Sequence, residues 1–215
     1  MSDRQEGIAA AIVAGGASSR FGGAPKGLER VGGRRILDRV ADAASAVAGH
    51  LVLISNSDDA DEWLAGVPVV RDLRPERRSL VGIHTALSFT AMPTLVLAWD
   101  MPFVTRDLLE LIVEHGEREQ FAVVPESTSG LEPFCALYAP ACLPIIAQAL
   151  DEGDFRATAL PHRFPSFTRI SGSEIRPIGD PDQLFFNVNS APDLARAEEI
   201  DREQRSRGRR AREYP

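Results

Sequence analysis

Residues Ile8-Ala9-Ala10-Ala11-Ile12-Val13-Ala14 form an unbroken apolar run that stops at Gly15-Gly16. A run this short, with no polar face, suits a strand buried on both sides of a parallel sheet. Such a strand needs helices on both faces, which commits the chain to a layered α/β fold. The rest of the sequence fits that demand. Apolar residues at 36, 37, 40, 44 and 47 keep helical spacing. Leu51–Ile54 and Val67–Val70 are further buried strands, and Leu80–Leu87 is helical. Thr94–Ala98 is the cleanest strand, followed by a helix that Thr105 N-caps and that runs through Val113. Phe121–Val124 and Phe134–Tyr138 are strands and Ala141–Leu150 a helix. Ser190-Ala191-Pro192-Asp193 resembles a capping box opening a helix to about Ile200. Alternation at these spacings predicts a three-layer, Rossmann-like α/β fold around a mostly parallel central sheet.

A length of 215 residues suits one domain, assigned to residues 1–201. The remainder, 202–215, carries six arginines and reads as a basic, solvated and disordered tail. The net charge of −7 argues against nucleic acid as the main partner. Cys135 and Cys142 lack metal or disulfide spacing, which fits a reducing, cytoplasmic setting. No run approaches the roughly 20 apolar residues of a membrane span, and the polar start Met1–Glu6 does not resemble a signal peptide.

In open α/β sheets, ligands bind beyond the carboxyl ends of the strands. The glycine-rich segment Gly15–Gly27 falls there, and it carries Arg20 and Lys26. Lys26 is the chain's one lysine, against 23 arginines. A compact ammonium beside glycines that expose backbone N–H groups is suited to phosphate oxygens. Neither GxxxxGK[ST] nor GxGxxG is present there, which excludes a P-loop NTPase and a dinucleotide dehydrogenase pattern. Asp100, just past the Thr94–Ala98 strand, is the candidate Mg²⁺ ligand, a lone carboxylate beside a phosphate crevice. Its alternative role is simply to start the turn into Met101-Pro102. Asp72 follows another strand end, where it either faces the crevice or pairs with neighbouring arginines on the surface. Asn56, Asn187 and Asn189 suit reading of neutral polar groups and are equally ordinary loop formers. The four histidines are scattered and read as structural.

The run Ile12–Leu28 resembles the opening signature of the MobA-like nucleotidyltransferases, most closely the molybdenum cofactor guanylyltransferases. Leu80–Leu87, Asp100-Met101-Pro102-Phe103, Glu132–Tyr138 and Phe185–Asn189 match further family motifs in order. The resemblance implies a nucleotidyltransferase fold and transfer of GMP from GTP to the phosphate of molybdenum-molybdopterin. It further implies nucleotide contacts from Ala14, Gly15, Gly16, Lys26, Asn56, Asp72 and Asp100, with Mg²⁺ on Asp100. Lys26, Arg20 and Asp100 would carry the catalysis, and Asn187 and Asn189 would lie on the acceptor side. Implied partners are GTP, the pterin and other cofactor-biosynthesis proteins. Pro25 replaces the aspartate usual in guanylyltransferases and is more typical of cytidylyltransferases and other branches, so the alternative is a cytidylyltransferase for the same pterin or an NTP transferase for another phosphorylated metabolite. Glu132 stands where histidine is common, and Ser79 replaces a glycine-proline lead. A nucleotide-binding regulator without turnover is the non-enzyme alternative.

Overall fold

A computed structural model of the chain describes residues 5–15, 25–76 and 78–213. The apolar run lies in strand β1 (Gln5–Val13), and its alternate residues do enter different layers. Ile8, Ala10 and Ile12 face one apolar core, while Ala11 and Val13 face a second. That division follows from the period of two along a strand.

Parallel partners flank β1 on both sides: β4 (Ala48–Ile54) and β6 (Thr94–Ala98). β5 (Val69–Val70) extends the sheet beyond β4. On the other side, β9 (Cys135–Tyr138) runs antiparallel between β6 and β7 (Ala122–Ser127). β10 (Thr168–Ile170) closes that edge in parallel with β7, and β8 (Gly130–Leu131) forms a short hairpin with β7. The order is β10-β7-β9-β6-β1-β4-β5, so the expected mostly parallel sheet is present with β9 reversed within it.

Two helical layers cover this sheet. Helices α1 (Ile36–Val47) and α3 (Arg106–Gly116) supply Leu37, Val40, Ala44, Leu108 and Ile112 to the first core. Helices α2 (Ser79–Thr90) and α4 (Leu143–Asp151) supply Leu80, Ile83, Leu87, Ile146 and Leu150 to the second. Thr105 caps α3 as expected, its Oγ1 accepting the Leu108 N–H at 3.3 Å. The small hairpin β2–β3 (Arg30–Val31 and Arg34–Arg35), two single-turn helices, α5 (Gly172–Ile175) and α6 (Pro181–Leu184), and short 3-10 turns make up the other described elements before the last helix.

That helix, α7 (Ala191–Glu213), runs past residue 201 into the segment that composition reads as a tail. Ser190 opens it as predicted, with Asp193 N–H donating to Ser190 Oγ at 3.3 Å. It does not stop near Ile200, where buried Asp201 ties it to α1 and to its own next turn. Asp201 meets Arg39 at 2.7 Å and Arg205 at 2.6 Å. Arg205 also donates to the Gly32 carbonyl at 2.7 Å, while Gly32 N–H donates to Glu198 at 3.1 Å. The basic segment therefore begins as a clasp on the β2–β3 hairpin. An ion pair at i,i+4 spacing carries the helix across the assigned boundary.

Candidate active site

A cavity of about 660 Å³ opens at the carboxyl ends of β1, β4, β5 and β6. Ala14 and Gly15 line it directly after β1, and Asn56 and Asp72 after β4 and β5. Lys26 and Asp100 lie in the same cavity, joined by Asn187 and Asn189 from the segment ahead of α7. The structure thus brings together eight of the residues singled out from sequence. Gly16 and Arg20 lie outside the described residues. None of the four histidines lines the cavity.

Lys26 begins a short 3-10 turn (Lys26–Leu28) whose start is set by the extended backbone of Pro25. Its ammonium lies 2.6 Å from Asp100 Oδ2 and donates to Asn189 Oδ1 at 2.7 Å. Three distant parts of the sequence therefore converge on one nitrogen. Two further contacts fix the geometry. Val188 N–H donates to the Asp100 carbonyl at 2.9 Å, and Asn189 N–H donates to Asp193 at 3.0 Å. Asn187 is turned differently: its amide donates to the Phe185 carbonyl at 2.9 Å and shapes its own loop.

Beneath this cluster lie two residues that the sequence reading had not singled out. Trp63 and Trp99, the chain's two tryptophans, stack with ring centroids 5.3 Å apart and planes 19° from parallel. Both are buried and both line the cavity. Trp99 also explains Gly27. A Cβ at position 27 would sit 2.4 Å from Trp99 Cε3, so only glycine lets the lysine-bearing turn rest on the indole. Gly82 serves a similar purpose at the first turn of α2, where a Cβ would lie 2.6 Å from Val13 Cγ1. Trp99 directly precedes Asp100 in sequence, which was a usable signal; its pairing with Trp63 arises only in the fold.

The opposite end of the cavity is built from hydrogen bonds between neutral and acidic groups. Asn56 Nδ2 donates to Asp72 Oδ2 at 2.6 Å, and Asp72 N–H donates to Asn56 Oδ1 at 3.0 Å. Neighbouring arginines do not take Asp72: Arg71 pairs with Asp58 and Arg74 with Asp151. Burial raises the Asp72 carboxyl above its ordinary value, opposed by hydrogen bonds from Asn56 and Thr85. Glu132, on the third side, is likewise pushed up by burial, with Ser127 Oγ donating to it at 2.6 Å.

Among the described residues no group of three or more His, Cys, Asp or Glu side chains could enclose a metal ion. Magnesium beside nucleotides commonly uses one or two carboxylates together with phosphates and waters. A single buried carboxylate, Asp100, at the cavity wall fits that manner of binding and does not fit an all-protein cage.

Comparison with known proteins finds relatives over most of the chain. The MobA-like NTP transferase domain matches residues 10–163. The molybdenum cofactor guanylyltransferase of Desulfosudis oleivorans is 35% identical over 190 residues, covering 87% of this chain and 92% of that protein. A probable molybdenum cofactor guanylyltransferase of Pelotomaculum thermopropionicum is 33% identical, covering 86% and 89%. Among solved structures, molybdopterin-guanine dinucleotide biosynthesis protein A from Archaeoglobus fulgidus superposes with a TM-score of 0.77 at 27% identity. It covers 91% of this chain and 99% of its own. A domain match over most of the chain, and a relative 35% identical over 87% of it, lead to one conclusion: this chain belongs to the MobA-like NTP transferase family.

Proposed function

We propose that the chain is a molybdenum cofactor guanylyltransferase, which transfers GMP from GTP to the phosphate of molybdenum-molybdopterin and releases pyrophosphate. The observation that carries this is the convergence of Lys26, Asp100 and Asn189 at the strand ends of the cavity. The names of the relatives support the base and the acceptor.

In this reaction an oxygen of the acceptor phosphate forms a bond to the α-phosphorus of GTP. The bond from that phosphorus to the bridging oxygen breaks, and its electron pair leaves with pyrophosphate. A phosphate monoester is largely dianionic near neutral pH, so the attacking oxygen needs no strong base. Catalysis then rests on holding two polyanions together and stabilising charge on the leaving group.

Lys26 supplies a full positive charge to the phosphates, and Arg20 and the backbone of Ala14, Gly15 and Gly16 complete the phosphate-binding set. Asp100 would hold Mg²⁺, which supplies charge neutralisation to phosphate oxygens when bound. Asn189 holds the ammonium in place and, with Asn187, borders the acceptor. Asn56 and Asp72 offer amide and carboxyl groups without a cation, which suits the ribose and base. The stacked tryptophans exclude water from beneath Lys26 and keep its turn rigid. The reading includes a cytoplasmic location. Cys135 and Cys142 are free and buried, and no described helix is long and apolar enough to cross a membrane.

The test is Mg²⁺-dependent pyrophosphate release with molybdenum-molybdopterin and each of GTP, CTP, ATP and UTP. GTP is expected to dominate. CTP clearly outpacing GTP would assign a cytidylyltransferase, the outcome that Pro25 motivates. Nucleotide binding with no release from any of the four would leave a binding protein without turnover.

A further inference from the structure

Five charged side chains among the described residues line the cavity: the carboxylates Asp72, Asp100 and Glu132 and the cations Lys26 and Arg78. A triphosphate and a phosphate acceptor must therefore enter a space whose described charge is not positive. Lys26 is already engaged by Asp100 and Asn189. Arg78 makes no ion pair or side-chain hydrogen bond among the described residues.

Its neighbours make the contrast sharper. Arg71 is taken up by Asp58 at 2.6 Å and Arg74 by Asp151 at 2.7 Å. Arg78 instead lies with its guanidinium carbon 5.9 Å from the centre of the Phe155 ring. A ring at that distance attracts the cation electrostatically and takes up none of its N–H donors, which stay available. Those donors are the ones that form paired hydrogen bonds with phosphate oxygens.

The backbone places the residue usefully. Arg78 is the extended N-cap of α2 and makes no capping hydrogen bond through its side chain. Ser79 and Gly82, in the first turn of the same helix, also line the cavity. The positive end of α2 and Arg78 therefore border one corner of the cavity.

We propose that Arg78 is a substrate-binding residue whose guanidinium contacts a phosphate group of an incoming substrate. The proposal rests on the nucleotidyl-transfer function above and adds a contact to it. Two substrates bring phosphate to this corner, the nucleotide and the pterin, and the kinetics separate them.

The experiment compares wild type, Arg78→Ala and Arg78→Lys. It measures KM and kcat for Mg–GTP and for molybdenum-molybdopterin, thermal stability, and Mg–GTP and pyrophosphate binding by tryptophan emission. Arg78→Ala should raise KM for one of the two substrates by about tenfold, the scale of a charged hydrogen bond. Its kcat and unfolding temperature should stay near wild type, and Arg78→Lys should recover only part of the loss. A raised KM for GTP, with weaker GTP and pyrophosphate binding, assigns the triphosphate. A raised KM for the pterin alone assigns the acceptor. KM values within twofold of wild type for both substrates would overturn the proposal. If wild type releases no pyrophosphate with any nucleotide, the functional reading fails separately. Arg78 is then judged on binding: unchanged GTP and pyrophosphate affinity in Arg78→Ala rejects it, and a tenfold loss supports it.

Discussion

Asp100 and Asp72 stand at opposite ends of one cavity, each with a nitrogen 2.6 Å from its carboxylate, but the nitrogens differ. At Asp100 it is the Lys26 ammonium; at Asp72 it is the Asn56 amide. An ammonium compensates a full charge, whereas an amide only hydrogen-bonds it. The Asp100 end thus carries a matched pair of charges, with which a metal and phosphate would exchange on the proposed function. The Asp72 end holds a carboxyl whose ionisation burial opposes, beside an amide that offers hydrogen bonds and no charge. One fold positions both by the same means, a loop leaving the carboxyl end of a parallel strand. What distinguishes them is which second residue the fold delivers.

The comparison can be broken from either end. Asp100→Asn removes the carboxylate and leaves Lys26 uncompensated. We expect kcat/KM to fall by about 10²–10³-fold, on the scale of a lost electrostatic contribution, together with loss of the Mg²⁺ dependence. Titration of activity against Mg²⁺ checks it, and an intact metal dependence would move the metal elsewhere. Gly27→Ala attacks the same end from below by driving a methyl group into Trp99. The expected cost is about 1–3 kcal/mol of stability, as for overpacking elsewhere. Displacing the lysine should also lower kcat by about tenfold or more. Thermal unfolding and turnover on the same preparation separate the two effects.

Asn56→Ala tests the other end. It should raise KM for GTP by about tenfold, the scale of lost hydrogen bonds, with kcat changed much less. A kcat loss as large as that of Asp100→Asn would erase the distinction between the ends.

Glu132→Gln gives the smallest effect and a defined sign. Burial raises the native Glu132 carboxyl above its ordinary value, so the folded state holds the proton more tightly than the unfolded chain does. Stability linked to this group is therefore present at low pH. It is lost as pH rises from the ordinary carboxylate range through the raised native value. Glutamine cannot ionise. The variant should match wild type near pH 4 and exceed it modestly near pH 8, by about 2 °C in unfolding temperature. The opposite ordering would mean that the native site favours the ionised form.

Much of this arrangement was legible in the sequence because it depends on local pattern. The apolar spacing of Ile36–Val47 marks α1 at its observed ends, and Thr94–Ala98 is the observed β6. Thr105 and Ser190 announce their helices because a side-chain oxygen three residues from a free N–H is a local event. Ala14, Gly15 and Asp100 could be found because each follows a recognisable strand, and Lys26 because it is the chain's one lysine in a glycine-rich segment. What escaped depends on distant partners. The arginine-rich segment reads as solvated by composition, yet Arg205 is drawn to buried Asp201 and the carbonyl of Gly32. The Trp63–Trp99 stack and the approach of Arg78 to the Phe155 ring join residues distant in sequence. No periodicity encodes such meetings.

The central claim is that the Lys26 ammonium acts on the phosphates of a bound nucleotide and is not only the partner of Asp100. Steady-state kinetics of Lys26→Ala for Mg–GTP, on protein shown to be folded by thermal unfolding, test it most directly. We predict that kcat/KM falls by at least about 10²-fold, whereas near-normal turnover in folded Lys26→Ala would contradict the account.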